Sequence, residues 1–274
     1  LLAKKESTTI YSLIGHPSSQ PKIAYASVLF GNNAEDTFKI ASDLKKQNFK
    51  AVKFGWQNFG LNFSQDQEHL VAAREALGNE IKLMIDVGAI WGTDIEEASK
   101  RSKIFKDNNI TWLEEPFYTD AYYEYGQLST KSNLPLAGGE SCHSIESAKN
   151  LINYGKVKFI QIDAGIAGGI LAGNEICNFA EKNNVQYVNH TFTSHLQLSS
   201  SIQPYASSTF SIYAEYPMQL KSLAWDITEN HITKDHNGMI NLPLDVGHGM
   251  KINQKALEQY NVDVEIFVNK KQLF

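Results

Sequence analysis

Eight short segments rich in β-branched and aromatic residues recur along the chain, and their spacing limits the possible folds more than any other feature. They lie at 23–30, 51–56, 81–87, 110–116, 134–140, 158–164, 185–190 and 210–216. Several contain continuous apolar runs, such as Leu83-Met84-Ile85. Such runs are typical of strands that are buried on both faces of a parallel sheet.

Segments of helical period lie between these strands, at 33–48, 64–77, 144–154 and 169–182. Thr93 stands three residues before Glu96, a capping box that predicts another helix beginning there. Eight strand–helix units in 274 residues predict an α/β protein with a TIM-type (β/α)8 barrel. The alternative is a doubly wound sheet, which usually has a glycine fingerprint after its first strand, where this chain has only Gly31.

Composition and charge limit the kinds of molecule that the chain is expected to bind. The chain has 25 Lys and Arg against 30 Asp and Glu, a net charge of −5, and no basic tract. This pattern excludes nucleic acid and favours a small molecule. No apolar run approaches the roughly 18 to 20 residues that span a bilayer, so no membrane contact is expected. Cys142 and Cys177 form no C-x-x-C motif, which indicates neither a disulfide framework nor a zinc ribbon. We expect a cytoplasmic protein.

Ionisable side chains terminate seven of the eight predicted strands, at intervals of 23 to 33 residues. They are Lys53, Asp86, Glu114 with Glu115, Glu140, Asp163, His190 and Glu215. In a barrel of parallel strands these positions converge at the C-terminal mouth, where this fold places its chemistry. Such groups are costly to desolvate singly, so a ring of them indicates mutual compensation or a bound metal.

Asp86, Glu114 and Glu140 come from three successive strands and offer only oxygen ligands. This donor set favours a hard cation such as Mg²⁺ over zinc. The alternative is that each carboxylate caps the following helix or pairs with a lysine.

Asp163 and His190 end neighbouring strands, so the carboxylate can hold one ring nitrogen while the other acts as a base. Lys53 either forms a salt bridge at the rim of the core or faces a substrate carboxylate. Glu215 can pair with any neighbouring cation.

These residues occur within motifs that together resemble the enolase superfamily, and within it the mandelate racemase-like group that includes many acid-sugar dehydratases. The motifs are Ala51-Val52-Lys53, Met84-Ile85-Asp86, Trp112-Leu113-Glu114-Glu115-Pro116, Gly138-Gly139-Glu140-Ser141, Gln161-Ile162-Asp163 with Gly168-Gly169, and Asn189-His190-Thr191. The resemblance extends over nearly the whole chain from Ile23 onward.

The resemblance implies the (β/α)7β variant of the barrel and a homo-oligomer that acts on an acid sugar. It also implies that Asp86, Glu114 and Glu140 bind Mg²⁺, with Glu115 behind them. Asp163 and His190 would form the base dyad. Lys53 would help to hold the charge of the enolate, and a protonated Glu215 would donate a hydrogen bond to it.

Two departures from the family pattern affect these expectations. The family usually has a second basic residue two positions after the first lysine of strand two, where this chain has Gly55. The family also has an N-terminal α+β capping domain, most of which is expected to be missing from this sequence. We therefore divide the chain into a linker at 1–20, a barrel at 21–224 and a C-terminal remnant of the capping domain at 225–274, with a tight hairpin at Asn237-Gly238.

The expected activity is that of a hydro-lyase that dehydrates an acid sugar to a 2-keto-3-deoxy acid. A racemase or epimerase would need a base on the opposite face, and Gly55 argues against it. A folded but inactive truncated barrel is the non-enzymatic alternative. A muconate-type cycloisomerase ranks lower, because it would generally use a lysine on strand six, where this chain has Asp163. A hydrolytic metal barrel is rejected, because strand one lacks the His-x-His pair that such a site usually needs.

Overall fold

Eight parallel strands form the centre of the fold. A computed structural model describes residues 1–218 and 220–262, together with the backbone of residues 267–268 and 271–272. The eight strands are β1 Lys22–Leu29, β2 Ala51–Gly55, β3 Lys82–Asp86, β4 Ile110–Glu114, β5 Leu136–Gly138, β6 Phe159–Ile162, β7 Gln186–Asn189 and β8 Tyr213–Pro217. Their order is β7-β6-β5-β4-β3-β2-β1-β8, and β7 also lies beside β8. The predicted TIM-type barrel is confirmed, in its (β/α)7β form.

The helices are α1 Leu2–Lys5, α2 Ile10–Leu13, α3 Ala34–Lys46, α4 Phe63–Leu77, α5 Ile95–Lys100, α6 Ser102–Asp107, α7 Tyr122–Ser132, α8 Ile145–Asn153, α9 Ile170–Lys182, α10 His195–Ile202, α11 Ser222–Asp226 and α12 Gln254–Gln259. The predictions of α3, α4, α8 and α9 are confirmed to within three residues at each end. The helix predicted from Thr93 begins later, because the cap is Asp94, whose carboxylate accepts a hydrogen bond from the Glu97 N–H.

Two helices that follow strands, α7 and α10, were not predicted. Ala121 occupies the N-cap position of α7 and makes no side-chain capping bond, so the sequence contains no start signal there. The sequence of α10 includes three consecutive serines, which compete with the helical backbone for hydrogen bonds and weaken the helical pattern. A local start signal does exist for α10, because the Ser194 side chain caps it by accepting a hydrogen bond from the Gln197 N–H.

A side-chain amide joins β7 to β8, the pair that completes the circle of strands. The Asn189 side chain accepts a hydrogen bond from the Glu215 N–H at 3.0 Å and donates one to the Glu215 carbonyl at 3.3 Å. Its oxygen also accepts from the Tyr205 hydroxyl at 2.7 Å. Asn189 is fully buried, so this amide, and not a backbone ladder among the described residues, joins β7 to β8 at the seam between them.

The hydrophobic core has two parts. The larger cluster packs the outward faces of the strands against the helices. The smaller, which we call the inner cluster, fills the barrel with one residue from each strand: Tyr25, Ala51, Met84, Trp112, Ala137, Phe159, Val188 and Tyr213. The inner cluster forms a solid floor beneath the C-terminal mouth, as expected for this fold.

The C-terminal segment runs back to the barrel. A tight turn is present at the predicted hairpin of Asn237-Gly238, but β9 Met239–Ile240 after it pairs antiparallel with the start of β1, and the described residues immediately before the turn form no strand. Two further short strands, β10 Phe267–Val268 and β11 Lys271–Gln272, pair with each other. Both cysteines are buried free thiols. Within the described residues, no helix combines the length and apolar character that crossing a membrane requires. The division at residues 20 and 224 stays a prediction.

Candidate active site

The alternation of side chains along the strands brings the candidate residues to the mouth of the barrel. Residues two apart on a strand point to the same side. Two positions beyond the inner-cluster residues of β2, β3, β4, β7 and β8 lie Lys53, Asp86, Glu114, His190 and Glu215. Asp163 lies four positions beyond Phe159 on the line of β6. Each of these side chains therefore continues the inward-facing row of its own strand.

Glu140 breaks this period, since it lies three positions beyond the inner-cluster residue Ala137. Gly139 explains the shift because its φ is +118°, and a Cβ there would stand 2.8 Å from the Ile160 side chain. Only glycine adopts that conformation readily. The kink after β5 turns Glu140 toward the other two acids.

Asp86, Glu114 and Glu140 each offer one carboxylate oxygen, and the three oxygens lie within 4.8 Å of one another. The Trp112 indole N–H donates to the second oxygen of Glu114 at 2.8 Å. Gly55 leaves room beside Asp86, since a Cβ at position 55 would lie 3.3 Å from the Asp86 Cβ. The structure thus holds three buried or half-buried carboxylates in one group, consistent with a divalent metal site.

Lys53 lies between the acids and is buried. Its Nζ stands 2.5 Å from Glu114, 3.1 Å from Glu215 and 3.3 Å from Asp86. Burial opposes the charged form, but Glu114, Glu215 and the other neighbouring groups raise the pKa of Lys53 well above its usual value. Lys53 therefore stays protonated as the internal counter-charge of the site.

Glu215 is buried on β8, and its expected role as a protonated hydrogen-bond donor stays a prediction. Burial raises its pKa, but Lys53, His190 and a 2.7 Å hydrogen bond from the Thr191 N–H together bring the pKa below the usual value. Contact with the positive charge of Lys53 thus favours the ionised form of Glu215 and opposes the effect of burial.

Asp163 and His190 form a hydrogen-bonded pair. The Asp163 carboxylate lies 3.1 Å from His190 Nδ1 and forms a hydrogen bond with it. The other ring nitrogen, Nε2, lies 3.2 Å from the Glu140 carboxylate. Burial lowers the pKa of His190, but the bond to Asp163 and the charges of Glu215 and Glu140 outweigh it and raise the pKa to about 9. One ring nitrogen is held, and the other faces the acids.

Negative charge is crowded at the mouth. Burial, together with neighbouring carboxylates, raises the pKa of Glu114 well above its usual value and also raises the pKa of Glu140. The same causes raise the pKa of Glu115 to about 8, and one oxygen of this buried side chain has no partner among the described residues. A divalent cation would relieve this crowding, and an oxygen-only donor set suits a hard ion. The residues present fit such a cation.

A cavity of about 450 Å³ opens above these groups. Lys53, Asp86, Glu140, His190 and Glu215 line its charged part. The remaining wall is mostly apolar and includes Trp56 and Phe192. The structure therefore brings all seven candidate residues together: five line the cavity, Glu114 contacts Lys53, and Asp163 contacts His190.

Several contributing residues were given no role in the sequence analysis. Gln197 donates to Asp163 at 3.0 Å, but it lies on α10, which was not predicted. Thr191 and Asn189 belong to a quoted motif, but the hydrogen bonds by which they act, from the Thr191 N–H and to the Asn189 amide, were not predicted. Trp112 could have been found, because it precedes Glu114 by two residues and must share its face of β4.

Comparison with known proteins identifies a family and several similar proteins. The family model described as Enolase C-terminal domain-like matches residues 37–256. The chain is similar to D-galactarolactone cycloisomerase of Agrobacterium fabrum, with 26% identity over 271 residues, 94% of this chain and 70% of that protein. It is also similar to L-talarate/galactarate dehydratase of Salmonella typhimurium, with 35% identity over 143 residues, 51% of this chain and 35% of that protein.

Among solved structures, the chain is similar to a crystal structure described as a predicted mandelate racemase from Rhodobacter sphaeroides. The identity is 38%, the TM-score is 0.94, and the match covers 100% of this chain and 71% of that one. This chain thus spans about 70% of the length of two of the proteins to which it is similar.

Proposed function

The chain belongs to the Enolase C-terminal domain-like family of the enolase superfamily, and from that premise we propose that it removes the α-proton of a carboxylate substrate with the help of Mg²⁺. The reaction we propose is the dehydration of an acid sugar to a 2-keto-3-deoxy acid. Relatives of the chain include dehydratases and cycloisomerases.

One observation carries this proposal. The carboxylates of Asp86, Glu114 and Glu140 lie within 4.8 Å of one another, and the free nitrogen of His190 stands 3.2 Å from Glu140. A base and a cation-binding group therefore face the same small volume, as removal of a proton next to a carboxylate requires.

Asp86, Glu114 and Glu140 would hold Mg²⁺, which supplies Lewis-acid polarisation of the substrate carboxylate when bound. Lys53 contributes a fixed positive charge beside the same oxygens, and such preorganised charge stabilises a developing oxyanion. Glu215 holds Lys53 in place at 3.1 Å. The sequence-based role of Glu215 as a hydrogen-bond donor is not part of this proposal.

His190 is the base. Asp163 fixes the ring through Nδ1, so Nε2 points to the substrate. Despite burial, the hydrogen bond to Asp163 and the charges of Glu215 and Glu140 raise the pKa of His190 to about 9, and a cation held beside Glu140 would lower this pKa toward the working range of a base. Once protonated, His190 can return the proton to the departing β-hydroxyl, so that a C–H and a C–O bond break and water leaves.

Gly55 favours dehydration over racemisation. A racemase needs a second base on the face opposite His190, and the family position for it is occupied by glycine. Among the described residues that line the cavity, the titratable groups are Lys53, Asp86, Glu140, His190 and Glu215. All except His190 are assigned to the cation or to charge stabilisation.

The test measures exchange of the α-proton with solvent deuterium by NMR, in the presence of Mg²⁺, for acid sugars that differ only at the α-carbon, such as gluconate and mannonate. We expect exchange or dehydration of one epimer only. His190→Asn should slow it by at least about 100-fold, the usual contribution of a general base. The control is His236→Asn, which replaces an exposed histidine in the turn before β9 and should leave the rate unchanged.

Each alternative gives a different result. Exchange of both epimers at comparable rates would restore the racemase or epimerase hypothesis. Absence of exchange for any acid, together with absence of Mg²⁺ binding, would favour a folded barrel without activity. A homo-oligomer remains a prediction.

A further inference from the structure

The cavity has two chemically different halves. Its acidic half lies over β3 to β5, which supply Asp86, Glu114 and Glu140. Its other half lies over β7, β8, β1 and β2, which are neighbours in the barrel. At the strand ends of this second half stands what we call the apolar platform, which consists of Val28, Leu29, Trp56, Phe192, Pro217 and Met218.

Trp56 has a more strained backbone than the other residues of the platform. Its φ is +57° and that of Gln57 is +58°, a conformation that costs of the order of 1 kcal/mol or more for a side chain of this size. The indole is nevertheless 54% exposed, so burial does not compensate for the strain. Strained residues that remain exposed cluster at binding sites.

Neighbouring groups hold the indole at the mouth. The Trp56 backbone N–H donates to the Asp86 backbone carbonyl at 3.2 Å, which ties the main chain at Trp56 to that of a candidate metal ligand. The indole also lies against Gly88, where a Cβ would stand 3.0 Å from the indole nitrogen. The position of the ring relative to the acids is therefore set by direct contacts.

The loop after Trp56 is fixed at its far end. The Gly60 N–H donates to Asp66 at 2.8 Å, and the Gly60 carbonyl accepts from Trp91 at 3.0 Å and from Arg101 at 2.9 Å. Asp66 and Arg101 form a buried ion pair at 2.7 Å. A loop restrained in this way presents a preformed surface rather than an adaptable one.

The charged side chains of this half are Lys53, His190 and Glu215, which are engaged with the acids or with each other, and few other polar side chains line it. Thr191 and Ser27 bring the hydroxyls that line it. The Thr191 hydroxyl is already bonded to the His190 carbonyl and to Ser201, which leaves Ser27 as the one described hydroxyl on this half without such a bond. A linear polyol carries hydroxyls on both sides of its chain, and hydroxyls buried against this wall would lose their hydrogen bonds to water at about 1 to 3 kcal/mol each.

We propose that the apolar platform makes the site selective for a cyclic sugar acid, whose ring packs its C–H face on Trp56 while its carboxylate reaches the acidic half. This inference rests on the proposed function, since it orients the same substrate carboxylate. A sugar ring segregates C–H bonds on its face from hydroxyls at its edge. The face matches the indole, and the edge stays in the open part of the cavity.

The experiment compares two monocarboxylates of equal charge in the presence of Mg²⁺: glucuronate, whose carboxylate is attached to a ring, and gluconate, which is linear. Dissociation constants are measured by calorimetry on the whole chain. We expect glucuronate to bind about fivefold more tightly, the scale of one aromatic contact. Trp56→Gly, which also relieves the positive φ, should abolish the difference, and Trp56→Phe should restore most of it.

The control is Trp225→Gly. Trp225 is 47% exposed, stacks on His231 and is not among the residues that line the cavity, so its removal should leave the ratio unchanged. Equal binding of both acids to the wild-type chain, or a ratio that survives Trp56→Gly, would overturn the platform while leaving the proposed function intact. If neither acid binds with Mg²⁺, the proposed function fails as well.

Discussion

Replacing Lys53 by methionine removes the positive charge at the centre of the candidate site while preserving most of the side-chain volume. The ammonium contacts three buried carboxylates at distances from 2.5 to 3.3 Å. At an effective dielectric constant of about 20, each contact corresponds to about 5 to 7 kcal/mol of attraction, most of which offsets the cost of desolvation. The net loss expected on breaking a buried charge group is about 3 to 5 kcal/mol.

The assay is thermal unfolding of the wild-type chain and of Lys53→Met, in EDTA and in Mg²⁺. For a domain of this size, the loss corresponds to a fall in Tm of about 6 to 20 °C without metal. Mg²⁺ at 100 times its Kd adds about 2.7 kcal/mol to the free energy of unfolding. The increase in Tm should be larger for Lys53→Met, because the ammonium no longer repels the cation.

Lys22→Met is the matched control. Lys22 is equally buried, but it lies at the opposite end of the barrel, and its ammonium donates to the carbonyls of Ser208 and Ser211 rather than to the acids. Its replacement should lower stability without changing the response to Mg²⁺. If Lys53→Met is as stable as the wild type in EDTA, or gains no more from Mg²⁺ than Lys22→Met, the electrostatic account of the site is wrong.

Two further predictions concern the scaffold. Burial is the main cause that lowers the pKa of His195 to about 4, so between pH 6.5 and 4 the unfolded chain binds the proton that the folded chain does not. Stability should therefore fall as the pH falls through this range, by up to about 3 kcal/mol, and His195→Asn should remove that part of the pH dependence of Tm. Asn189→Leu leaves the Glu215 N–H and the Tyr205 hydroxyl without their partner and should cost about 2 to 5 kcal/mol in chemical denaturation. Asn183→Leu, at an exposed amide, should cost far less, and equal losses would contradict the importance of the seam.

The sequence alone determined the barrel and the row of side chains at its mouth. The reason is that both follow from local periods. Continuous apolar runs identify buried strands, and parallel strands put their C-terminal ends on one side. Lys53, Asp86, Glu114, His190 and Glu215 follow from that rule alone, because each continues the inward-facing row of its strand.

Other features of the site were decided only by the tertiary structure, because the local periodicity of the sequence does not encode them. Glu140 reaches the acids through a kink at Gly139, and α10, which Ser194 caps, brings Gln197 to Asp163. The ionised state of Glu215 depends on contact with Lys53 from a strand two places away in the barrel. Trp56 was read only as the end of a strand, and its place at the mouth comes from a strained backbone held by Asp86 and Gly88. These features depend on distances between residues far apart in the chain, and such distances are set by packing rather than by local sequence.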